Sequence, residues 1–265
     1  MATEYSQSTI VEMFESERRM VLEAHERYPV YYPHAEEAAH FLSTFIKSIN
    51  KDRFVFGMFL SQVKKHHMLA LFSTVRLHRI QAMMNLRQVL EAGAAAAFGI
   101  ANPGQEHFVD ADDRGVLDPS KKITEKRNKW LDEHYPVGSA AIRDMKDNIN
   151  KSAGHANLVS AGNNFRFNEA GWFDAPFFDI EDEHFVRTDL WMLGNIAVGL
   201  MRLFHDVNKG RDVIVFVDEF PGRWDKLSRE NTTLHTELTS SDRYKRAQQL
   251  IQETASVAPS SADRA

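Results

Sequence analysis

HHMLALFSTVRLHRIQAMMNLRQVLEAGAAAAFGIA, residues 66–101, contains no proline and keeps a helical rhythm of apolar residues from end to end. At about 100° per residue, with Arg76 set to zero, Met68, Phe72, Val75, Met83, Leu86 and Leu90 fill one arc, centred at about 300°. Arg79 points into the middle of that arc, and Arg76 and Arg87 lie at its edge. Glu91 follows Arg87 at the i,i+4 spacing that lets a carboxylate meet a guanidinium. The opposite stripe carries His67, Thr74, His78, Gln81 and Asn85. A helix this apolar belongs in a core, and the arginines are the part of the pattern that packing alone does not require.

The flanking chain has the same helical texture. Arg53 to Lys65 reads as helix and joins the quoted stretch either as one bent helix or as two in series. Towards the N-terminus, Ser8 to Glu26 is amphipathic and ends at Tyr28-Pro29. Pro33 can open a further helix with Ala38, Ala39, Phe41, Leu42, Phe45 and Ile46 inside, stopped by Asn50 to Asp52.

Towards the C-terminus, Asn102-Pro103-Gly104 is a firm stop. Asp118-Pro119 opens a basic helix through Lys121, Lys122, Lys126, Arg127 and Lys129, which Tyr135-Pro136 closes. Ser139 is placed to cap a helix reaching Asn150, with Ile142, Met145 and Ile149 as its inner stripe. Between Phe165 and Phe178 the alternation of aromatics with glycine and asparagine fits short strands or an aromatic-anchored loop. A helix through Leu190 to Val207 follows, in which Gly194 and Gly199 would admit a close neighbour. Val213 to Val217 then suits a short strand whose pairing with the Phe165 region is open, and Ser241 to Glu253 a last amphipathic helix. The expectation is a mainly α fold, a multi-helix bundle of about seven helices with a small β or aromatic-loop insertion. It forms a single helical domain over residues 1–254, the insertion falling at 156–182 and a disordered tail at 255–265.

With 265 residues, 43% of them hydrophobic and 26% charged, the chain can bury one large core. A formal net charge of −5 argues against a protein wrapped in nucleic acid while leaving room for a local basic patch. The chain has no cysteine, which excludes disulfides, thiolate zinc sites and cysteine nucleophiles, and makes the cytoplasm the expected location. Its most apolar stretches, Val89–Ala101 and Leu190–Phe204, fall short of the roughly 20 residues a spanning helix needs, so no membrane partner is expected. Phosphate-loop, dinucleotide-binding and serine-nucleophile signatures are missing, and no cofactor is expected. Glu37-x-x-His40 and Glu181-x-x-His184 have the ligand spacing of di-metal carboxylate bundles. The bridging glutamates are not evident, because Glu91 is the only acidic residue between His66 and Ala101.

Asn85-Leu86-Arg87-x-x-Leu90-Glu91-Ala92, late in a long helix, is followed after a loop by helices ending in Ser152-Ala153-Gly154-His155. Over roughly residues 35–210 this order resembles uncharacterised bacterial helical proteins related to the HEPN superfamily. That resemblance implies a helical and commonly dimeric protein, hence a homo-oligomer, that binds or cleaves RNA. It also implies a metal-independent ribonuclease chemistry in which an arginine stabilises phosphate charge and a histidine a few residues later transfers protons. Arg127-Asn128 with His134 matches that form. The same Arg and His spacing occurs at Arg18 or Arg19 with His25, at Arg27 with His34 and at Arg229 with His235. Arg127 differs in having Asn128 beside it and in lying on a basic helix, whereas His134 sits at the helix exit rather than inside it. His155 is the other candidate, a loop histidine that would meet the arginine and glutamate of the long helix in one polar pocket.

Two outcomes are open for Arg76, Arg79 and Arg87. They can pair with carboxylates of other helices, such as Glu37 or Asp189, and lock the bundle as a noncatalytic interaction or oligomerisation protein. Alternatively, together with Glu91, they can hold an anionic ligand, RNA or a nucleotide, by bidentate hydrogen bonds. Arg79, with no carboxylate at i±3 or i±4, needs a partner from another element.

Overall fold

The computed structural model describes residues 9–111, 117–118, 121–153, 161–162, 165–167, 173–174 and 177–257. Among these the fold is mainly α, with ten α-helices and three short two-stranded ladders. No helix among the described residues is long and apolar enough to cross a membrane.

The quoted stretch is two helices, α4 (Phe54–Val75) and α5 (Arg79–Ala101), folded back on each other as a hairpin. Phe56 meets Gly99 at the open end, where Arg53 Nε also donates to Ile100 O, and His66 meets Asn85 nearer the turn. The break falls at Arg76-Leu77-His78 and carries neither glycine nor proline. Leu77 takes the left-handed conformation (φ 58°), the His78 N–H bonds Ser73 O at 2.9 Å, and the Leu77 N–H bonds Thr74 O at 3.2 Å. This is a Schellman C-cap with leucine where glycine is usual. The conformation costs roughly 1–2 kcal/mol. Burial of the Leu77 side chain opposes that cost, as do two bonds from Asp179: its N–H to Leu77 O, and its Oδ2 to the Arg79 N–H at 2.6 Å. The single helical face expected to align Arg76, Arg79 and Arg87 is therefore not formed, since Arg76 ends one helix and Arg79 starts the next.

Against this hairpin pack α3 (Tyr31–Thr44) and the long α8 (Glu183–Asn208), which starts at an Asp182 side-chain cap. Gly194 of α8 admits His34 of α3, and a Cβ there would lie 2.5 Å from His34 Nε2. Gly199, expected to do the same, faces nothing within 4 Å. α9 (Phe220–Ser240) covers the α3–α8 layer and runs on into α10 (Asp242–Val257). α6 (Lys121–His134) and α7 (Pro136–Ala153) pack on α5. The N-terminal α1 (Ile10–Leu22), opened by a Thr9–Glu12 capping box, and α2 (Ala24–Arg27) lead into α3.

The strand expected at Val213 to Val217 exists as Ile214–Phe216 and pairs antiparallel with Ile46–Ile49, not with the Phe165 region. Ile46, expected inside a helix, is thereby a strand residue. Asn208 holds the turn by accepting from the Val213 and Ile214 N–H groups and donating to Ile214 O. Within the expected insertion, Arg166–Phe167 pairs with Phe173–Asp174. Outside it, Asp110–Ala111 pairs with Leu117–Asp118. Pro136, not Ser139, opens α7, and Ser139 lies inside that helix. The last helix outruns the expected Glu253, and the remainder of the tail, from residue 258, lies outside the described residues.

Candidate functional site

The three arginines of the opening stretch end on three different carboxylates. Arg76 Nη1 lies 3.2 Å from Glu17 Oε2 on α1, and the other oxygen of Glu17 takes His78 Nε2 at 2.8 Å. Burial pushes the Glu17 carboxyl up, but His78 and Arg76 together outweigh it and hold it below the ordinary value. Arg79 Nε donates to Asp189 Oδ2 of α8 at 2.9 Å, with Nη2 3.4 Å from Oδ1, and its guanidinium lies over the Phe185 ring. Asp189 is 3% exposed. Burial raises its carboxyl to about 6, opposed by Arg79 and reinforced by the nearby Asp179. The pair lines a cavity of about 240 Å³ together with Thr74, Asp179 and Asp182. Thus the partner Arg79 needed from elsewhere is Asp189.

Arg87 bonds Glu91 within α5, Nε to Oε1 at 3.3 Å. The same Glu91 oxygen takes Lys146 Nζ of α7 at 3.1 Å. Burial pushes the Glu91 carboxyl up, yet Lys146 and Arg87 hold it below its ordinary value, so it is ionised at neutral pH. Across a narrow cleft of about 40 Å³ stands Arg127 of α6. Its Nε is buried without an acceptor. Burial draws the guanidinium below the ordinary arginine value, and the field of Glu91 opposes that. Asn128, Ser139 and Arg143 complete the polar lining. Arg143 reaches Asp132 Oδ2 at 2.7 Å, and Ser139 Oγ donates to Asp132 Oδ1 at 2.6 Å.

The structure therefore brings Arg87, Glu91 and Arg127 together and leaves Arg76 and Arg79 elsewhere. His134 lies two helical turns from Arg127, about 10 Å along the axis of α6. Its Nδ1 donates to Trp130 O at 2.9 Å and its ring stacks on Trp130, so Nε2 is the nitrogen left for other partners. His155 lies outside the described residues. Of the di-metal candidates, Glu37 is taken by Arg223 and Glu181 by Arg27 and Tyr28. Among the described residues no group of three His, Asp or Glu side chains is arranged to hold a metal.

Lys146 and Arg143 were not among the sequence candidates. Ser139, Arg143 and Lys146 recur at i, i+4 and i+7 beside the apolar stripe Ile142, Met145 and Ile149, a polar seam that the sequence does display. No family model, curated protein or solved structure matches this chain.

Proposed function

We propose that the chain binds the phosphates of RNA or of a nucleotide at the junction of α5, α6 and α7. The observation that carries this reading is charge imbalance. Among the described residues Arg87, Arg127, Arg143 and Lys146 converge there with only Glu91 and Asp132 as carboxylate partners, and Arg127 keeps a buried N–H with no acceptor. A buried donor without an acceptor costs roughly 1–3 kcal/mol, which an anionic oxygen would recover. Guanidiniums favour phosphate because their paired N–H groups match its oxygens.

The reading keeps the HEPN-like expectation, in which the histidine transfers protons and the arginine stabilises phosphate charge. His134, with Nε2 uncommitted, and His155 are the histidines to test. Purified protein is mixed with labelled single-stranded RNA in chelator. Binding should be retained in His134→Ala and weakened about tenfold in Arg127→Ala, the loss of one charge-assisted contact. Cleavage without divalent metal, lost in His134→Ala or His155→Ala, assigns a ribonuclease. If both variants cleave fully, the histidine assignment fails. Absence of any binding to RNA or nucleotides defeats the reading as a whole. The cytoplasmic location and the homo-oligomer implied by the resemblance belong to the same proposal, and light scattering reads the oligomer.

A second reading, a noncatalytic interaction protein with structural arginines, is favoured by Arg76, Arg79 and Arg87 each ending on a carboxylate. It predicts no cleavage, and loss of folding or assembly on removing Arg79.

A further inference from the structure

A second polar site lies between the start of α3 and the middle of α9. His34 is 5% exposed and clamped against Gly194. Its Nε2 lies 3.2 Å from Asn231 Oδ1, and Asn231 Nδ2 is committed to Asn195 Oδ1 at 3.1 Å. In this amide orientation Asn231 Oδ1 can only accept, so Nε2 carries the ring hydrogen. Nδ1 is buried without a hydrogen-bond partner, and His34 lines a cavity of about 460 Å³. The nearest charged group is Glu230 Oε2 at 3.6 Å, itself an acceptor. Two acceptors thus face each other with no donor hydrogen-bonded between them, Lys226 standing by the other oxygen of Glu230.

The rest of the lining is specific in sign and shape. Glu37 is spent on Arg223, leaving Glu230 as the carboxylate facing His34. Lys226 and Arg229 stand at the rim, both largely exposed, the first 3.7 Å from Glu230 and the second 3.1 Å from Asp225. Val30, a β-branched residue at φ 72° and 63% exposed, lines the same cavity as the buried Leu234. Backbone strain of this kind is typical of ligand clamps.

We propose that this cavity binds a small zwitterion of the aliphatic amino-acid type. Its ammonium donates to His34 Nδ1 and Glu230, its carboxylate meets Lys226 and Arg229, and its side chain lies against Val30 and Leu234. A simple amine would satisfy the inner acceptors but meet the rim cations unfavourably, and a simple carboxylate would do the reverse.

The full chain is titrated calorimetrically with L-leucine, isoamylamine and 4-methylpentanoate, while the ring nitrogens of His34 are followed by ¹⁵N NMR. Leucine should bind at least about tenfold more tightly than either half-ligand, and Glu230→Gln, an exposed substitution, should weaken it about tenfold. The Nδ1 resonance should move from a bare to a hydrogen-bonded position on adding leucine. The proposal is overturned if leucine does not bind at about 10 mM. It is equally overturned if isoamylamine binds as well as leucine, if Glu230→Gln binds unchanged, or if Nδ1 is already protonated and stays put, the mark of a plain imidazolium–carboxylate pair.

Discussion

Arg79 and Arg127 are both half-buried guanidiniums facing a carboxylate on another helix, yet their surroundings differ in one respect. Around Arg79 acids prevail: Asp189 meets its guanidinium and Asp179 its backbone N–H, and Arg243, which shares the Phe185 ring with it, is already paired with Asp182. Around Arg127 cations prevail, with Glu91 shared among Arg87, Lys146 and Arg127. A guanidinium matched by carboxylate locks two helices together. One that must share its carboxylate has capacity left for an anion.

The largest expected effect follows from the lock. Arg79→Leu strands a fully buried Asp189 and should cost about 3–5 kcal/mol of stability in urea unfolding, with much of it restored by adding Asp189→Leu. Asp189→Asn should cost less, about 1–3 kcal/mol, because the Arg79 side chain is 31% exposed and can turn to water. Equal losses in the two single variants would mean that the pair is not the asymmetric lock seen here.

At the other site the response should appear in binding rather than stability. Arg127→Leu removes a desolvated cation from a region already rich in positive charge, so stability should change by no more than about 1 kcal/mol while RNA affinity falls about tenfold. A large loss of stability with unchanged affinity would make Arg127 a second lock.

The two sites should also part in their pH dependence. Asp189 is raised in the folded state to about 6, so its contribution to stability is fully present below the ordinary aspartate value and lost as pH rises through about 6. Glu91 is lowered, so its contribution is present above the ordinary glutamate value and lost as pH falls through its folded value. Unfolding curves of Asp189→Asn and Glu91→Gln against wild type between pH 4 and 7 should therefore diverge with opposite slopes, and slopes of the same sign would refute one of the two assignments. The smallest effect belongs to Arg76→Ala, an ion pair at a helix end, at about 0.2–1 kcal/mol.

The helical class and most helix positions were legible because apolar periodicity is strong through α3, α5 and α8. The turn at Leu77 was not. A Schellman cap normally announces itself by glycine, and here a buried leucine takes that place, held by Asp179 from a hundred residues away. Losing the turn made one helix of two and aligned arginines that in fact diverge. Arg87–Glu91 was legible because its spacing is local, and Asp189 was one of the carboxylates the sequence offered to these arginines. The approach of α6 and α7 to Glu91 was not legible, since nothing local in Arg127 or Lys146 encodes a contact across helices.

On the proposed function Arg127 binds phosphate, whereas Arg76, already matched by Glu17, does not. The direct measurement is the salt dependence of binding of a single-stranded RNA of about ten nucleotides, comparing wild type with Arg127→Ala and Arg76→Ala. Arg127→Ala should flatten the slope of log affinity against log salt by about 0.7, the release accompanying one single-strand phosphate contact, and Arg76→Ala should leave it unchanged. Identical slopes in all three proteins would mean that Arg127 holds no phosphate.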